Sequence, residues 1–243
     1  MTARSSSISP QFYARMAGAV YLFIIVSGVA GAIIKPQMIA QGDPAATAAN
    51  IVAGASTLRL VVAIESLHMA AGIVLAVILY ALFKPVDRYV SLLAALTHVA
   101  CAIVLAVAAI FTFAALRLTG TARYISAVDM EQRNALATLA IRLQEDMFAL
   151  GLVFFVFTCL SLGYLIIRSS FLPRSIGVLM FVAAGAYILN SFAHILSPSL
   201  AAQLVPGIFA PIFIAELSLA LWLTVKGVDR EKWHARAVAT GVG

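Results

Sequence analysis

Six apolar runs, each of the length a helix needs to cross a bilayer, occupy nearly the whole of this chain: residues 12–34, 58–83, 89–116, 147–167, 176–196 and 206–225. About 20 apolar residues span ~30 Å of hydrocarbon, so six spans with short connections leave no length for a soluble domain. Of the 243 residues 63% are hydrophobic and 11% charged, against roughly 25% charged in soluble domains. The expected fold is all-α: a polytopic membrane protein whose residues 1–243 form a single six-helix bundle.

The connections are legible too. Pro85 in Lys84-Pro85-Val86-Asp87-Arg88 makes a tight turn between the second and third runs. Gly42-Asp43-Pro44 sets a capping carboxylate before a proline suited to the first helical position, which predicts a short outer helix over 44–54. Before the fourth run, Leu136, Leu139, Ala140 and Leu143 recur at helical spacing among charged residues, so one long helix should extend out of the membrane. Lys226-Gly227 closes the sixth run, and a short charged tail follows. A cleavable leader is the competing reading of the first run, with Ala30-Gly31-Ala32 as its candidate site; the run's length favours a span.

Lys and Arg gather on one side of a six-span chain: Arg4, Arg15, Lys84, Arg88, Arg168, Arg174, Lys226, Arg230, Lys232 and Arg236. The positive-inside rule then makes both termini cytoplasmic. Arg117, Arg123, Arg133 and Arg142 in the third loop oppose this, but acidic residues accompany them in a loop long enough to translocate. The net charge of +6 is scattered over segment ends, as snorkelling anchors are, and nucleic acid is not an expected partner. Membrane lipids are the partner expected, a small-molecule or lipid ligand is the further candidate, and a homo-oligomer is left open. Cys101 and Cys159 lie within apolar runs, without metal-type spacing, so no disulfide is expected.

The last run, Glu216-Leu217-Ser218-Leu219-Ala220-Leu221-Trp222-Leu223 closing in Lys226-Gly227-Val228, resembles the ending of a bacterial membrane family catalogued as domain of unknown function 4386. Further pieces agree in order along the chain: Arg15 with Gly18; Gly42-Asp43 with Thr47 and Asn50-Ile51; Leu79-Tyr80 before Lys84-Pro85-Val86; Gly163-Tyr164-Leu165 with Arg168-Ser169; and Leu172-Pro173 with Gly177-Val178-Leu179. The resemblance implies a small multi-pass protein of the bacterial plasma membrane. It brings no activity and no catalytic residues.

Ionisable groups in hydrocarbon are costly and mark sites or pathways. At ~1.5 Å per residue, Glu65, His68 and Glu216 fall some 10–15 Å below the outer boundary, with Asn190 and His194 in the last ~10 Å of the fifth span. Together they suggest a protonatable ligand-binding or proton-relay pocket in the outer half, with Arg59, Glu145 and Asp146 at its mouth. His98 and Cys101 fall in the inner half, where nothing else ionisable is expected at matching depth. A lone histidine there is read as bonded to a carbonyl, and its isolation counts against a haem carrier.

Glu65-x-x-His68 puts two potential ligands on one helical face, but di-iron bundles need that motif twice and it occurs once here. A single Zn or Fe ion held by Glu65, His68, His194 and Glu216 is the metal alternative; otherwise no cofactor is expected. Gly28 and Gly31 read as small residues for close helix packing. The leading functional reading is binding or transport of a small or lipid-like molecule. The alternatives are a structural or regulatory membrane subunit with a buried polar network, and an intramembrane metal-dependent enzyme acting on a lipid.

Overall fold

The computed structural model describes residues 9–241, so Arg4 and the polar stretch 5–8 lie outside the described residues. Its helices are α1 (Pro10–Ile34), α2 (Pro44–Ala53), α3 (Ala55–Phe83), α4 (Arg88–Leu118), α5 (Met130–Ser169), α6 (Arg174–Leu196), α7 (Pro198–Leu204), α8 (Phe209–Val225) and α9 (Arg230–Ala239). No strand occurs among the described residues.

Aspartates start four of these helices by accepting from otherwise unpaired backbone N–H groups. Asp43 accepts from Ala46, Asp87 from Tyr89 and Val90, Asp129 from Glu131 and Gln132, and Asp229 from Lys232. α2 therefore begins where Asp43-Pro44 predicts. α5, at 40 residues, is about 60 Å long and outreaches the ~30 Å hydrocarbon layer.

Five helices are long and apolar enough to cross a membrane. A sixth span is obtained by taking α7 and α8 together, and that pair is bent by 57° at its break. The apolar run expected at 206–225 is found as α8, and the short α7 ahead of it is an addition. Pro206 has no N–H to donate into a continuing helix, and the regular helix starts at Phe209.

The spanning helices pack in a ring in the order α1, α3, α4, α5, α6, α8, with α8 returning to α1. Glycines set the closest approaches. A Cβ at Gly18 would strike the Thr224 backbone N–H and the Ala220 carbonyl, locking α1 against α8. Gly163 and Gly177 likewise bring α5 and α6 together, each facing the other's carbonyl oxygen. Such contacts replace the hydrophobic driving force that lipid removes. The interior is filled by one apolar cluster that includes Tyr21, Leu75, Cys101, Phe155, Cys159, Met180, Tyr187 and Leu219.

The α3–α4, α5–α6 and α8–α9 turns and both ends of the described chain fall at one end of the ring, together with Lys84, Arg88, Arg168, Arg174, Lys226 and the three cations of α9. At this basic end Gln11 donates to the Lys226 carbonyl at 2.8 Å and accepts from the Val228 N–H at 3.0 Å, tying the start of α1 to the end of α8. Gly227 permits this by turning left-handed, with φ +71°. The tail expected to follow is instead α9, whose Trp233 indole donates to the Leu82 carbonyl at 2.9 Å.

At the opposite, loop end, Ile51, Leu58, Ala115, Leu116, Ala137, Ala140 and Ile141 form a second small core. The expected α5 extension is present as part of one 40-residue helix, and this small core shows which of its faces is packed. Leu136, Leu139 and Leu143 are exposed, and the packed face is Ala137, Ala140, Ile141 and Gln144, small enough at two positions for α2 to come close.

Candidate functional site

Counted from the basic end, Glu216 lies ten residues before Lys226, Cys159 ten before Ser169, His98 ten after Arg88 and Tyr21 eleven after Pro10. Four helices thus bring these groups to one level about 15 Å from that end, with Tyr187 at about 20 Å. That is the middle of the hydrocarbon. His98 is accordingly not isolated in an inner half: it shares the level of Glu216.

Glu216 is buried on the ring-facing side of α8, between Ala215 and Leu219. Its Oε1 accepts a 2.5 Å hydrogen bond from the Tyr187 hydroxyl of α6. No Lys or Arg pairs with it among the described residues. The Tyr21 hydroxyl of α1, on the same level, is buried without a hydrogen-bond partner among the described residues. Aromatic contacts extend the cluster across the ring. Tyr187 meets Phe155 edge-on at 5.3 Å, and Phe155 meets His98 at 5.4 Å.

The other expected pocket residues go elsewhere. Glu65 pairs with Lys35 at 2.6 Å, and His68 Nδ1 meets Ser27 Oγ at 2.8 Å; both partners come from α1 and the turn after it. His194 meets Asp146 at 2.9 Å, joining α6 to α5 at the loop end. Asn190 is buried one turn from Tyr187 on α6. Arg142 bridges Glu145 at 2.9 Å and Gln41 at 2.7 Å, and Arg59 is exposed. The five residues Glu65, His68, Asn190, His194 and Glu216 therefore do not line one shared pocket. The reason is azimuth: equal depth on different helices does not make side chains face each other.

The candidate metal ligands Glu65, His68, His194 and Glu216 are divided among those same separate partners. Among the described residues no group of three or more His, Cys, Asp or Glu side chains is gathered to hold a metal ion.

Tyr21 and Tyr187 were not picked out from sequence. The usable signal was the spacing Tyr187, Asn190, His194 on α6, which follows one helical face. Gly28 and Gly31 do more than close a helix gap. A Cβ at Gly31 would come within 2.9 Å of Glu65 Oε1, and one at Gly28 within 3.6 Å of the His68 ring, so their missing side chains leave room for those two groups.

Apolar helices of spanning length, a ring architecture and ionisable groups at mid-depth define a multi-pass helical membrane protein. Comparison with known sequences takes this one step further. The chain belongs to the family described as Domain of unknown function (DUF4386), whose family model matches residues 16–227. It is also similar to an uncharacterised protein of Archaeoglobus fulgidus, 27% identical over 155 residues that cover 64% of this chain and 76% of the relative. No solved structure matches it.

Proposed function

We propose that this protein binds or carries a small or lipid-like molecule across or within the membrane, and that Glu216 is its proton-exchanging centre. The observation that carries the reading is the half-satisfied cluster at mid-membrane: among the described residues, a carboxyl without a cation, one tyrosine donating to it, and a second tyrosine whose buried hydroxyl has no partner. A network that only held helices together would be expected to satisfy its members, because an unpaired buried polar group costs about 1–3 kcal/mol. Intramembrane carboxyls that take up and release protons are a common means of coupling binding to a gradient. The membrane we assign is the bacterial plasma membrane, with both termini cytoplasmic, on the grounds of the basic end and the positive-inside rule.

The structural reading is favoured for other residues. Glu65 with Lys35, and His194 with Asp146, are matched pairs joining neighbouring elements, and we assign them that role in the resting bundle. A metal-dependent activity on lipid finds no support in this arrangement of donors.

Dicyclohexylcarbodiimide tests the proposal, since it reacts with protonated carboxyls in apolar surroundings. In the purified full-length protein, Glu216 should be modified at low pH and progressively less as pH rises, and Glu216→Gln should abolish that adduct. A Glu216 that stays unmodified at every pH, in protein that remains folded, would contradict the reading.

A further inference from the structure

The basic end carries more positive charge than its own acids answer. Of the Lys and Arg gathered there, Lys232 is the one that meets a carboxylate among the described residues, at 2.9 Å from Asp229. The described acids of that end are Asp87, Asp229 and Glu231. Asp87 and Asp229 accept from the backbone at the starts of α4 and α9. Glu231 precedes Arg236 by five residues and so stands about 140° round α9 from it.

Two of the unanswered cations meet at one corner. α5 ends at Ser169, and Ser170 turns left-handed at φ 62°, which leaves the last carbonyls of the helix without intrahelical partners. Arg236 Nη2 donates to the Arg168 carbonyl at 3.3 Å, and its Nε–H is buried without a partner among the described residues. The rest of α9 keeps Arg236 there, through the Trp233 indole on the Leu82 carbonyl and the Asp229 N–H on the Phe171 carbonyl at 3.3 Å. The Arg168 side chain turns back along α5, its guanidinium carbon 5.9 Å from the centre of the Tyr164 ring. That guanidinium has no carboxylate partner among the described residues. Tyr164 is exposed, as is Tyr89 at the start of α4, and exposed aromatics at the ends of spanning helices mark the headgroup level.

From this corner we propose that Arg168 and Arg236 hold the phosphate of an anionic phospholipid from the leaflet at the basic end, and that the bound lipid fastens α9 to α5. The chemistry fits phosphate. A guanidinium has five N–H donors, Arg236 spends one on the Arg168 carbonyl, and paired guanidinium N–H groups match phosphate oxygens. The level fits a lipid as the source, because Arg168 follows Tyr164 by one turn on a face exposed to the bilayer. Two cations on touching helices, with no carboxylate partner, repel until an anion joins them. The chain supplies no such anion among its described residues, and the leaflet does.

The test uses the full-length protein in an uncharged detergent, titrated with phosphatidylglycerol or with phosphatidylcholine of the same acyl chains, and native mass spectrometry counts the bound lipid. Phosphatidylglycerol should bind about 25-fold more tightly, two cations at about fivefold each, and it alone should slow amide exchange in α9. Arg168→Gln keeps the main-chain carbonyl that Arg236 uses, so α9 stays docked, and the variant should still lose about fivefold in affinity. Arg230→Gln, at an exposed position of α9, should lose less. Equal binding of the two lipids, equal losses in Arg168→Gln and Arg230→Gln, or α9 exchange indifferent to phosphatidylglycerol would overturn the proposal. So would inorganic phosphate binding as tightly as phosphatidylglycerol, which would make the corner a site for a soluble anion.

Discussion

The Tyr187 hydroxyl donates to Glu216 Oε1 at 2.5 Å, and this bond is the one direct polar link between α6 and α8 inside the ring among the described residues. It holds a carboxyl at mid-membrane with a single donor. Tyr187→Phe should lower stability by about 1–3 kcal/mol, because the acceptor is left buried and unpaired. Glu216→Gln keeps an acceptor for Tyr187 and should cost less. Unfolding of the purified variants in the same detergent checks the order.

Gly18 and Gly185 make opposite predictions for the same substitution. Gly18→Ala would force α1 off α8 at Thr224 and should destabilise by about 1–3 kcal/mol. Gly185→Ala meets nothing within 4 Å and should be neutral or stabilise by up to about 1 kcal/mol through helix propensity. Paired thermal melts separate the two.

Lys35 and Glu65 are both largely buried, so removing one partner should hurt more than removing both. Lys35→Met strands the carboxylate and should cost about 3 kcal/mol, and adding Glu65→Gln should recover most of that loss. A double-mutant cycle on unfolding free energies measures the coupling.

Asp229 starts α9, and the hydrogen bond from the Lys232 side chain, with help from the Lys232 backbone N–H, holds its carboxyl below the usual carboxylate range. The folded value is thus the lower one. Asp229 contributes stability above its unfolded value of about 4, and the contribution is lost as pH falls through the folded value. Amide exchange in α9, corrected for intrinsic rates, should accelerate more on acidification from pH 5 to pH 3 than that of α8. Asp229→Asn should flatten the difference.

Much of the fold was legible because depth is a one-dimensional property. Run lengths, the Asp43-Pro44 start and the prolines located the ends of the spanning helices to within a few residues. The same arithmetic set Glu216 deep in the outer half, close to the mid-membrane level the structure gives it. What it could not give was azimuth. A spanning helix is apolar on its lipid face and on its packed face alike, so nothing in α3 or α8 announced that Glu65 turns to Lys35 and Glu216 to Tyr187. His98 was separated from Glu216 because depths had been counted from opposite boundaries. α9 was missed because Arg230, Glu231 and Lys232 dominate its composition, although Asp229 ahead of Trp233 carried the start signal. The bend before α8 follows from Pro206, which a hydropathy run passes over.

The central claim, that Glu216 takes up and releases a proton in the folded protein, is tested most directly by infrared difference spectra between high and low pH in lipid. The account predicts a protonated-carboxyl C=O band that appears on acidification and disappears in Glu216→Gln, shifted in Tyr187→Phe through loss of the hydrogen bond. Spectra in which Glu216→Gln removes no pH-dependent carboxyl band would contradict it.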